Sequence, residues 1–77
     1  MNILDRISDI IRDVTQNPTA TISETSTASD IEGWDSLSHI YIIAEIEDAF
    51  NIRMTAQEGG GAKNVGDLLR IVESKLS

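Results

Sequence analysis

The segment that decides the fold is GWDSLSHIYIIAEIEDAF, residues 33–50. Its first two residues end a polar stretch, and the Asp35-Ser36 pair that follows supplies side chains that cap helix N-termini. Apolar residues then recur at helical spacing as far as Phe50. We therefore predict a helix that is capped by Asp35 or Ser36 and runs to about Phe50.

This predicted helix has two apolar faces. The face expected to pack on the core carries His39, Ile42, Ile43, Ile46 and Phe50. The opposite side carries Leu37, Ile40, Tyr41 and Ala44 beside the carboxylates of Glu45 and Asp48, with Glu47 at the border. One apolar stripe is enough to fold a helix against a core, so the second stripe has two explanations. It is either scattered surface apolarity, which is common, or a docking face for a partner.

The N-terminal segment is predicted to form a helix of its own. Between Asn2 and Gln16 the apolar residues fall on one helical stripe, which consists of Ile3, Leu4, Ile7, Ile10, Ile11 and Val14. Asn2 is suited to cap this helix, and Asp5 places a negative charge in its first turn. The helix is expected to stop at Asn17-Pro18, because proline has no amide hydrogen and pushes the preceding residue out of the helical region.

A long loop is predicted between these two helices. Residues 19–30 are rich in Thr and Ser and show neither helical nor strand periodicity. Ile22 and Ile31 are the apolar residues expected to anchor the loop in the core. Loops of this length are unusual in compact domains and often carry function.

The C-terminal third predicts one marginal helix and one substantial helix. Residues 55–58, TAQE, have the capping-box pattern of a helix start, but Gly59-Gly60-Gly61 follows directly. Because each glycine costs about 1 kcal/mol inside a helix, we expect one turn at most. Asn64 then caps a last helix, whose predicted buried stripe is Val65, Leu68, Leu69, Val72 and Leu76. The sequence therefore predicts an all-α fold of four helices, with a long first loop and a short, marginal third helix.

Length and charge limit the possible functions. The 77 residues predict one domain, residues 1–77, which is small for an enclosed active site. The chain has no cysteine, so disulfides and zinc–thiolate clusters are excluded. Its net charge of -7 argues against nucleic acids and anionic membranes, and residues 14–52 contain seven acidic residues and no Lys or Arg. We expect a cytoplasmic protein without a membrane span, whose partners have basic surfaces.

Residues 33–37, GWDSL, resemble the attachment motif of the acyl carrier protein family, whose core is Asp-Ser-Leu at the start of the second helix. The resemblance covers the whole chain, since the amphipathic first helix, the long loop, the acidic second helix ending at Phe50 and the terminal VGDLL helix also match. It implies a four-helix carrier bundle in which a phosphopantetheinyl transferase attaches 4′-phosphopantetheine to Ser36, between Asp35 and Leu37. The terminal thiol of that arm then carries acyl groups as thioesters.

The resemblance also implies partners and a docking surface. Carrier proteins present the second helix to basic patches on partner enzymes, with small apolar contacts beside the charges. The predicted partner-binding residues are therefore Leu37, Ile40, Tyr41, Ala44, Glu45, Glu47 and Asp48. The expected partners are the transferase and the enzymes that load, transfer or condense acyl groups. The carrier itself is expected to be monomeric and to have no catalytic activity.

Some features leave the type of carrier open. Trp34, His39 and the glycine-rich third segment depart from the pattern of housekeeping fatty acid carriers. They favour a specialised carrier, for example for a polyketide, a modified lipid or an unusual acyl group, and a peptidyl or D-alanyl carrier is an alternative. An unmodified acidic adaptor that binds a basic partner through the second helix is another, because Asp35 and Ser36 also fit a bare helix cap.

Two chemical alternatives involve the same segment. A calcium loop starting at Asp30 is rejected, because an EF-hand needs glycine at its sixth position and glutamate at its twelfth, where this chain has Asp35 and Tyr41. A hydrolase with Ser36 as nucleophile and His39 as base is a weaker hypothesis than the carrier or the adaptor, since no nucleophile elbow or oxyanion hole is evident. His39 lies on the core face of the predicted helix, and we predict a partly buried structural histidine.

Overall fold

The computed structural model describes residues 2–76 and consists of helices joined by loops. The four α-helices are α1 (Ile3–Thr15), α2 (Ser36–Phe50), α3 (Ala56–Gly61) and α4 (Val65–Leu76), and a short 3₁₀ turn spans Ala28–Asp30. No β-strand occurs within residues 2–76, so the all-α, four-helix prediction is confirmed. The predicted domain limits, Met1 and Ser77, lie outside the described residues. In the part of the chain that the structure describes, no helix has the length and apolarity needed to cross a membrane.

The first helix begins and ends close to the predicted positions. The Asn2 side-chain oxygen accepts the Asp5 N–H at 2.7 Å, which confirms the predicted cap. The helix ends at Thr15, and Gln16 adopts the left-handed conformation, with φ 56°, while its N–H donates back to helix carbonyls. Pro18 follows two residues later, as is common after this type of C-terminal cap.

The core is formed mainly by α1, α2 and α4, with α1 packed against both of the others. The buried hydrophobic residues are Ile7, Ile10, Ile11, Ile31, Trp34, Ile42, Ile46, Val65, Leu68 and Val72. Full burial of one large aliphatic side chain stabilises a fold by about 1.5–3 kcal/mol. This cluster is therefore the main source of stability in a chain that has no cysteine for disulfides.

Trp34 is a core residue that the apolar periodicity of the sequence does not indicate. Its side chain is only 7% exposed and belongs to the same cluster as Ile31, a predicted loop anchor. Ile22, the other predicted anchor, is half-buried against this cluster. Both anchors are therefore confirmed, and the end of the loop adds a large aromatic side chain to the core.

The long loop has a defined course because it is bonded to the start of α4. The Val65 N–H donates to the Ser26 carbonyl at 2.9 Å, which satisfies one of the free amides at that helix end. The predicted long loop is present, and it contains the 3₁₀ turn, which the lack of periodicity did not indicate. The signal in the sequence is the spacing of Thr27 and Asp30, since the Asp30 carboxylate accepts the Thr27 N–H at 3.0 Å.

The third helix is longer than predicted. It spans Ala56–Gly61, so all three glycines are helical and the prediction of one turn at most is wrong. The predicted capping box at its start is present, with N–H···O distances of 2.8 and 3.0 Å. Contacts with other helices compensate for the low helix propensity of glycine. Gly59 is buried against Ile43 of α2, and Glu58 forms an ion pair with Lys75 of α4 at 3.1 Å.

The last helix begins at the predicted cap and buries most of the predicted stripe. The Asn64 side-chain oxygen accepts the Asp67 N–H at 2.8 Å. The fully or partly buried members of the stripe are Val65, Leu68, Leu69 and Val72. Leu76 is 48% exposed, so its prediction as a buried residue is wrong. It is the last residue of α4 and lies about one turn beyond Val72, where the helix has passed the core.

Candidate functional site

Ser36 is the first residue of α2, and its side chain is exposed to solvent. Within residues 2–76, no group forms a hydrogen bond with its hydroxyl. The hydroxyl can therefore be reached from the solvent side by a modifying enzyme, as the predicted attachment requires.

The backbone around Ser36 is fixed by a reciprocal cap between Asp35 and Ser38. The Asp35 carboxylate accepts the Ser38 N–H at 2.9 Å, and the Ser38 hydroxyl oxygen accepts the Asp35 N–H at 2.8 Å. The Ser38 hydroxyl also donates to the Gly33 carbonyl at 2.8 Å. Asp35 is therefore the N-cap of α2, which decides between the two residues that the sequence left open. Ser38 was missed; its signal is capping-box spacing with Ser in place of the usual Glu or Gln.

The Asp35 carboxylate is hydrogen-bonded to backbone amides at the start of α2. The hydrogen bond from the Ser38 amide is the main cause that lowers its pKa below the ordinary value of 3.8, and the Leu37 amide adds to the effect. Asp35 is therefore ionised at neutral pH and places a fixed negative charge beside Ser36. An acidic side chain at a helix N-terminus is also favoured by the helix dipole.

Ser36 lies at the edge of an open cleft of about 410 Å³. The cleft is lined by Ala28, Trp34, Asp35, Ser36, His39, Gly60 and Ala62, which come from the 3₁₀ turn, the start of α2 and the region of α3. Of the three predicted cofactor-binding residues, the structure thus brings Asp35 and Ser36 to one cleft. Leu37 does not line the cleft and is 63% exposed.

His39 connects α2 to α3 through its two ring nitrogens. The Trp34 indole N–H donates to Nδ1 at 3.1 Å, and Nε2 lies 2.8 Å from the Gly59 carbonyl oxygen. An indole nitrogen is always a donor, so Nδ1 must accept, and Nε2 must carry the hydrogen that it donates to the carbonyl. The prediction of a partly buried structural histidine is confirmed. Both ring nitrogens of His39 are bonded to groups other than Ser36, so His39 cannot act as the general base that the hydrolase hypothesis requires.

A second, mostly apolar groove of about 370 Å³ lies between α2 and α3. It is lined by His39, Ile40, Ile43, Ala44, Glu47, Met54, Thr55, Ala56, Gly59 and Gly60. The groove has room because small residues, alanine and glycine, occupy much of the facing helix surfaces. No pattern in the sequence indicates this groove, since periodicity does not reveal how α3 is placed against α2.

The predicted docking face of α2 is exposed in the structure. The large apolar side chains of Leu37, Ile40 and Tyr41 are 63%, 64% and 57% exposed. The other exposed members of this face are Ala44, Glu45 and Asp48. The apolar members recur at intervals of three and four residues, so they form one stripe along the helix. A continuous exposed apolar stripe bordered by charges is typical of an interaction surface.

Glu47 differs from the other predicted docking residues. It is half-buried, and its Oε2 atom accepts the Met54 N–H at 2.8 Å. The carboxylate therefore satisfies a backbone amide in the segment that joins α2 to α3. Glu47 has a structural role, and a substitution there would disturb that segment as well as the surface charge.

The chain is similar to known proteins over nearly its whole length. The family model described as Phosphopantetheine attachment site matches residues 5–72. The acyl carrier proteins of Streptococcus pyogenes serotype M1 and Streptococcus pneumoniae serotype 4 are 35% and 33% identical to it over 75 residues, which is 97% of this chain and 97% of each relative. The solution NMR structure of the holo acyl carrier protein from Geobacter metallireducens matches with a TM-score of 0.87 at 37% identity, and the match covers 99% of this chain and 87% of that one.

Proposed function

The chain belongs to the acyl carrier protein family, and on that premise we propose that it carries acyl intermediates as thioesters on an arm attached to Ser36 and presents them to biosynthetic enzymes. Its cofactor is a covalently attached 4′-phosphopantetheine. Proteins of this family are carriers that interact with biosynthetic enzymes and with a phosphopantetheinyl transferase. The proposal includes the absence of a catalytic activity of its own, since His39 offers Ser36 no free base.

The observation that carries the proposal is the free hydroxyl of Ser36. The Asp35–Ser38 pair already caps α2, so the fold makes no use of this hydroxyl. The side chain is nevertheless exposed at the first residue of the helix and at the edge of a cleft. A serine in that position is open to modification, and its substitution would leave the cap intact.

The surroundings of Ser36 fit the first part of the arm. A phosphodiester is negatively charged, and the N-terminus of α2 is the positive end of the helix dipole. The ionised Asp35 carboxylate is hydrogen-bonded to the Ser38 and Leu37 amides and offsets part of this positive end, so the remaining attraction for the phosphodiester is weak. The adjacent cleft provides room beside the serine.

Attachment is a group transfer in which this chain supplies the nucleophile. The Ser36 Oγ atom forms a bond to the phosphorus next to pantetheine in coenzyme A, and the P–O bond of the pyrophosphate breaks. Adenosine 3′,5′-bisphosphate leaves, and the hydroxyl proton passes to a base. Both nitrogens of His39 are bonded elsewhere, to Trp34 and Gly59, so His39 is not that base, and we assign this role to the transferase.

When attached, the arm supplies the thiol that this cysteine-free chain lacks, and that thiol carries the acyl group. The contribution of the chain is to fix the attachment point and to hold the cargo near each partner, which raises its effective concentration there. The reciprocal cap at Asp35 and Ser38 fixes the backbone on both sides of Ser36.

We propose that partner enzymes with basic patches dock on α2. Residues 14–52 contain seven acidic residues and no Lys or Arg, so their field attracts a basic surface and speeds association. The exposed stripe of Leu37, Ile40 and Tyr41 offers apolar contacts once the partner has arrived. The proposal extends to a cytoplasmic monomer in which residues 1–77 belong to one carrier domain.

Intact-mass spectrometry tests the attachment to Ser36. The apo protein is incubated with coenzyme A and a promiscuous transferase, and one phosphopantetheine is expected per chain, with fragment masses that place it on Ser36. The Ser36→Ala variant should gain none and keep its helical circular dichroism. Ser29→Ala is the matched control, since Ser29 is an exposed serine in the 3₁₀ turn, and it should be modified like wild type. An unmodified wild type would favour the adaptor instead, and a modified Ser36→Ala would overturn the site.

A further inference from the structure

Arg53 is a basic residue at the end of the acidic part of the chain. Residues 13–52 contain no Lys or Arg, so Arg53 is the first basic residue after Arg12. Its exposed side chain lines an open cleft of about 270 Å³ at the end of α2, together with Ala44, Glu47, Asp48, Asn51 and Ile52. Ala44 and Asp48 belong to the docking face. Arg53 therefore places a positive charge at the C-terminal end of that face.

The backbone on both sides of Arg53 is held by Glu47. The Ile52 N–H donates to the Glu47 carbonyl at 3.0 Å, and the Met54 N–H donates to Glu47 Oε2 at 2.8 Å. The side chains of Ile52 and Met54 are partly buried against the core, whereas Arg53 between them is exposed. The Arg53 side chain therefore starts from a fixed backbone beside α2 and is directed away from the core.

The Arg53 guanidinium has no hydrogen-bonded or ionic partner within residues 2–76. The ion pairs in this part of the chain use other basic residues, namely Arg12 with Asp9, Arg70 with Asp67 and Lys75 with Glu58. Although Glu47 and Asp48 line the same cleft, neither carboxylate is paired with Arg53. The five N–H donors of the guanidinium are therefore available to a group from outside the chain.

We infer that Arg53 selects partner enzymes that place a carboxylate opposite it, at the edge of the basic patch that receives Glu45 and Asp48. A partner with basic residues alone would bring a like charge against Arg53, which opposes binding. An Asp or Glu of the partner can instead accept two hydrogen bonds from the guanidinium. Specific interfaces often combine an attractive and a repulsive element in this way. The inference rests on the proposed docking of partners on α2, and it makes Arg53 a specificity-determining residue of that surface.

A double-mutant cycle between the carrier and a promiscuous phosphopantetheinyl transferase tests this pairing. Exposed residues along the edge of the transferase's basic patch are changed one at a time to Glu. The kcat/KM for phosphopantetheinylation is then measured at low salt with the wild-type carrier and with Arg53→Ala. At one position, or at two adjacent ones, the added Glu should favour wild type over Arg53→Ala by roughly threefold, the coupling expected of an exposed ion pair. At the other positions it should slow both carriers by the same factor.

Two further carriers control for the sign and the place of the charge. Arg53→Glu should be modified more slowly than Arg53→Ala by the coupled transferase variant, and added salt should reduce this difference. Arg6→Ala removes the same charge from the exposed surface of α1, where Arg6 has no ionic partner within residues 2–76, and it should show no coupling. Each carrier has to keep wild-type circular dichroism. If Arg53→Ala does not, Arg53→Gln takes its place in the cycle.

No coupling at any edge position, or equal coupling for Arg53→Ala and Arg6→Ala, would overturn the inference. A uniform gain for Arg53→Ala with every transferase variant would also overturn it, because Arg53 would then merely mask the charge of Asp48. Glu45→Lys distinguishes these results from failure of the proposed docking face. If Glu45→Lys is slowed while Arg53 shows no coupling, the inference alone fails. If Glu45→Lys is modified as fast as wild type, docking on α2 fails and the inference fails with it.

Discussion

A Cβ atom on Gly33 would lie 2.8 Å from the carbonyl oxygen of Thr15, at the end of α1. The backbone of Gly33 also has φ +91°, a conformation that side chains with a Cβ rarely adopt. Glycine is therefore required at this turn for two reasons. Because the Gly33 carbonyl accepts the Ser38 hydroxyl hydrogen, the same turn links the end of α1 to the start of α2.

The Gly33→Ala variant should lower the free energy of unfolding by about 1–3 kcal/mol, the usual cost of holding a non-glycine residue in such a conformation. Urea denaturation followed by circular dichroism measures the change. Modification of Ser36 by the transferase should also slow, since the α2 cap has to shift. Gly61→Ala is the control. Gly61 lies in α3, and among the described residues no atom is close to the position of its Cβ, so this variant should not lower the free energy of unfolding. A Gly33→Ala protein as stable as wild type would show that the turn can relax away from Thr15.

The start of α2 should depend on pH through Asp35. Its pKa is lowered in the folded state by the Ser38 amide, so its stabilising effect is fully present above the ordinary value of 3.8 and is lost as the pH falls through the lower, folded value. The Ser38 amide resonance in ¹H–¹⁵N spectra should therefore titrate with a midpoint below 3.8. A local reporter is needed because Glu58 and Asp67 also have lowered pKa values and contribute to global stability in the same direction.

Asp35→Asn is the matched control for this titration. Asparagine caps helices about as well as aspartate, but it does not ionise. In the variant, the ¹H–¹⁵N resonance of the Ser38 amide should keep its position near neutral pH. It should no longer shift as the pH is lowered into the acid range. A midpoint at or above 3.8 in wild type would contradict the hydrogen-bonded cap.

The glycines of α3 should limit its stability although they are helical. Glycine loses more backbone entropy on ordering than other residues, so amides between Glu58 and Lys63 should exchange with solvent faster than those between Ile42 and Ile46. Gly60→Ala and Gly61→Ala should each raise the free energy of unfolding by roughly 0.5–1 kcal/mol and slow this exchange, because both positions have open space among the described residues. Exchange as slow in wild-type α3 as in the centre of α2 would mean that tertiary contacts already hold the helix closed.

The three long helices could be predicted because they bury the residues that repeat at helical spacing. The stripe in α1, the Ile42 and Ile46 positions in α2, and Val65 to Val72 in α4 all enter one core. The prediction for α3 was wrong because propensity is a local quantity. Two contacts that only the folded chain brings together support this helix, namely the packing of Gly59 against Ile43 and the ion pair between Glu58 and Lys75.

The site was predictable only in part. The motif around Ser36 indicated the exposed serine at a helix start, and the spacing on α2 indicated the outward stripe. The burial of Trp34 and its bond to His39 had no periodic signal, because they depend on how the loop end folds over the core. The role of Glu47 was missed for the same reason, since its partner, the Met54 amide, lies in an irregular segment.

Charge reversals and an apolar substitution on the docking face of α2 should distinguish electrostatic steering of a partner from apolar contact with it. Glu45 and Asp48 are exposed, and within residues 2–76 their carboxylates have no hydrogen-bonded or ionic partner. Glu45→Lys and Asp48→Lys should therefore slow phosphopantetheinylation without disturbing the fold, and added salt should reduce the difference from wild type because it screens the attraction. Glu47 is unsuitable for this test, since its carboxylate binds the Met54 amide.

A matched charge reversal and an apolar substitution complete the docking experiment. Asp13→Lys changes the net charge by the same amount on the exposed surface of α1, and it should slow the transferase less than either reversal on α2. Leu37→Ser should also slow docking, but with little dependence on salt, because it removes apolar contact and not steering. Each variant has to retain wild-type circular dichroism for its rate to be compared. If Glu45→Lys and Asp13→Lys are modified equally fast at low salt, α2 is not the electrostatic docking surface, and the acidic loop residues between Glu24 and Asp35 become the next surface to reverse.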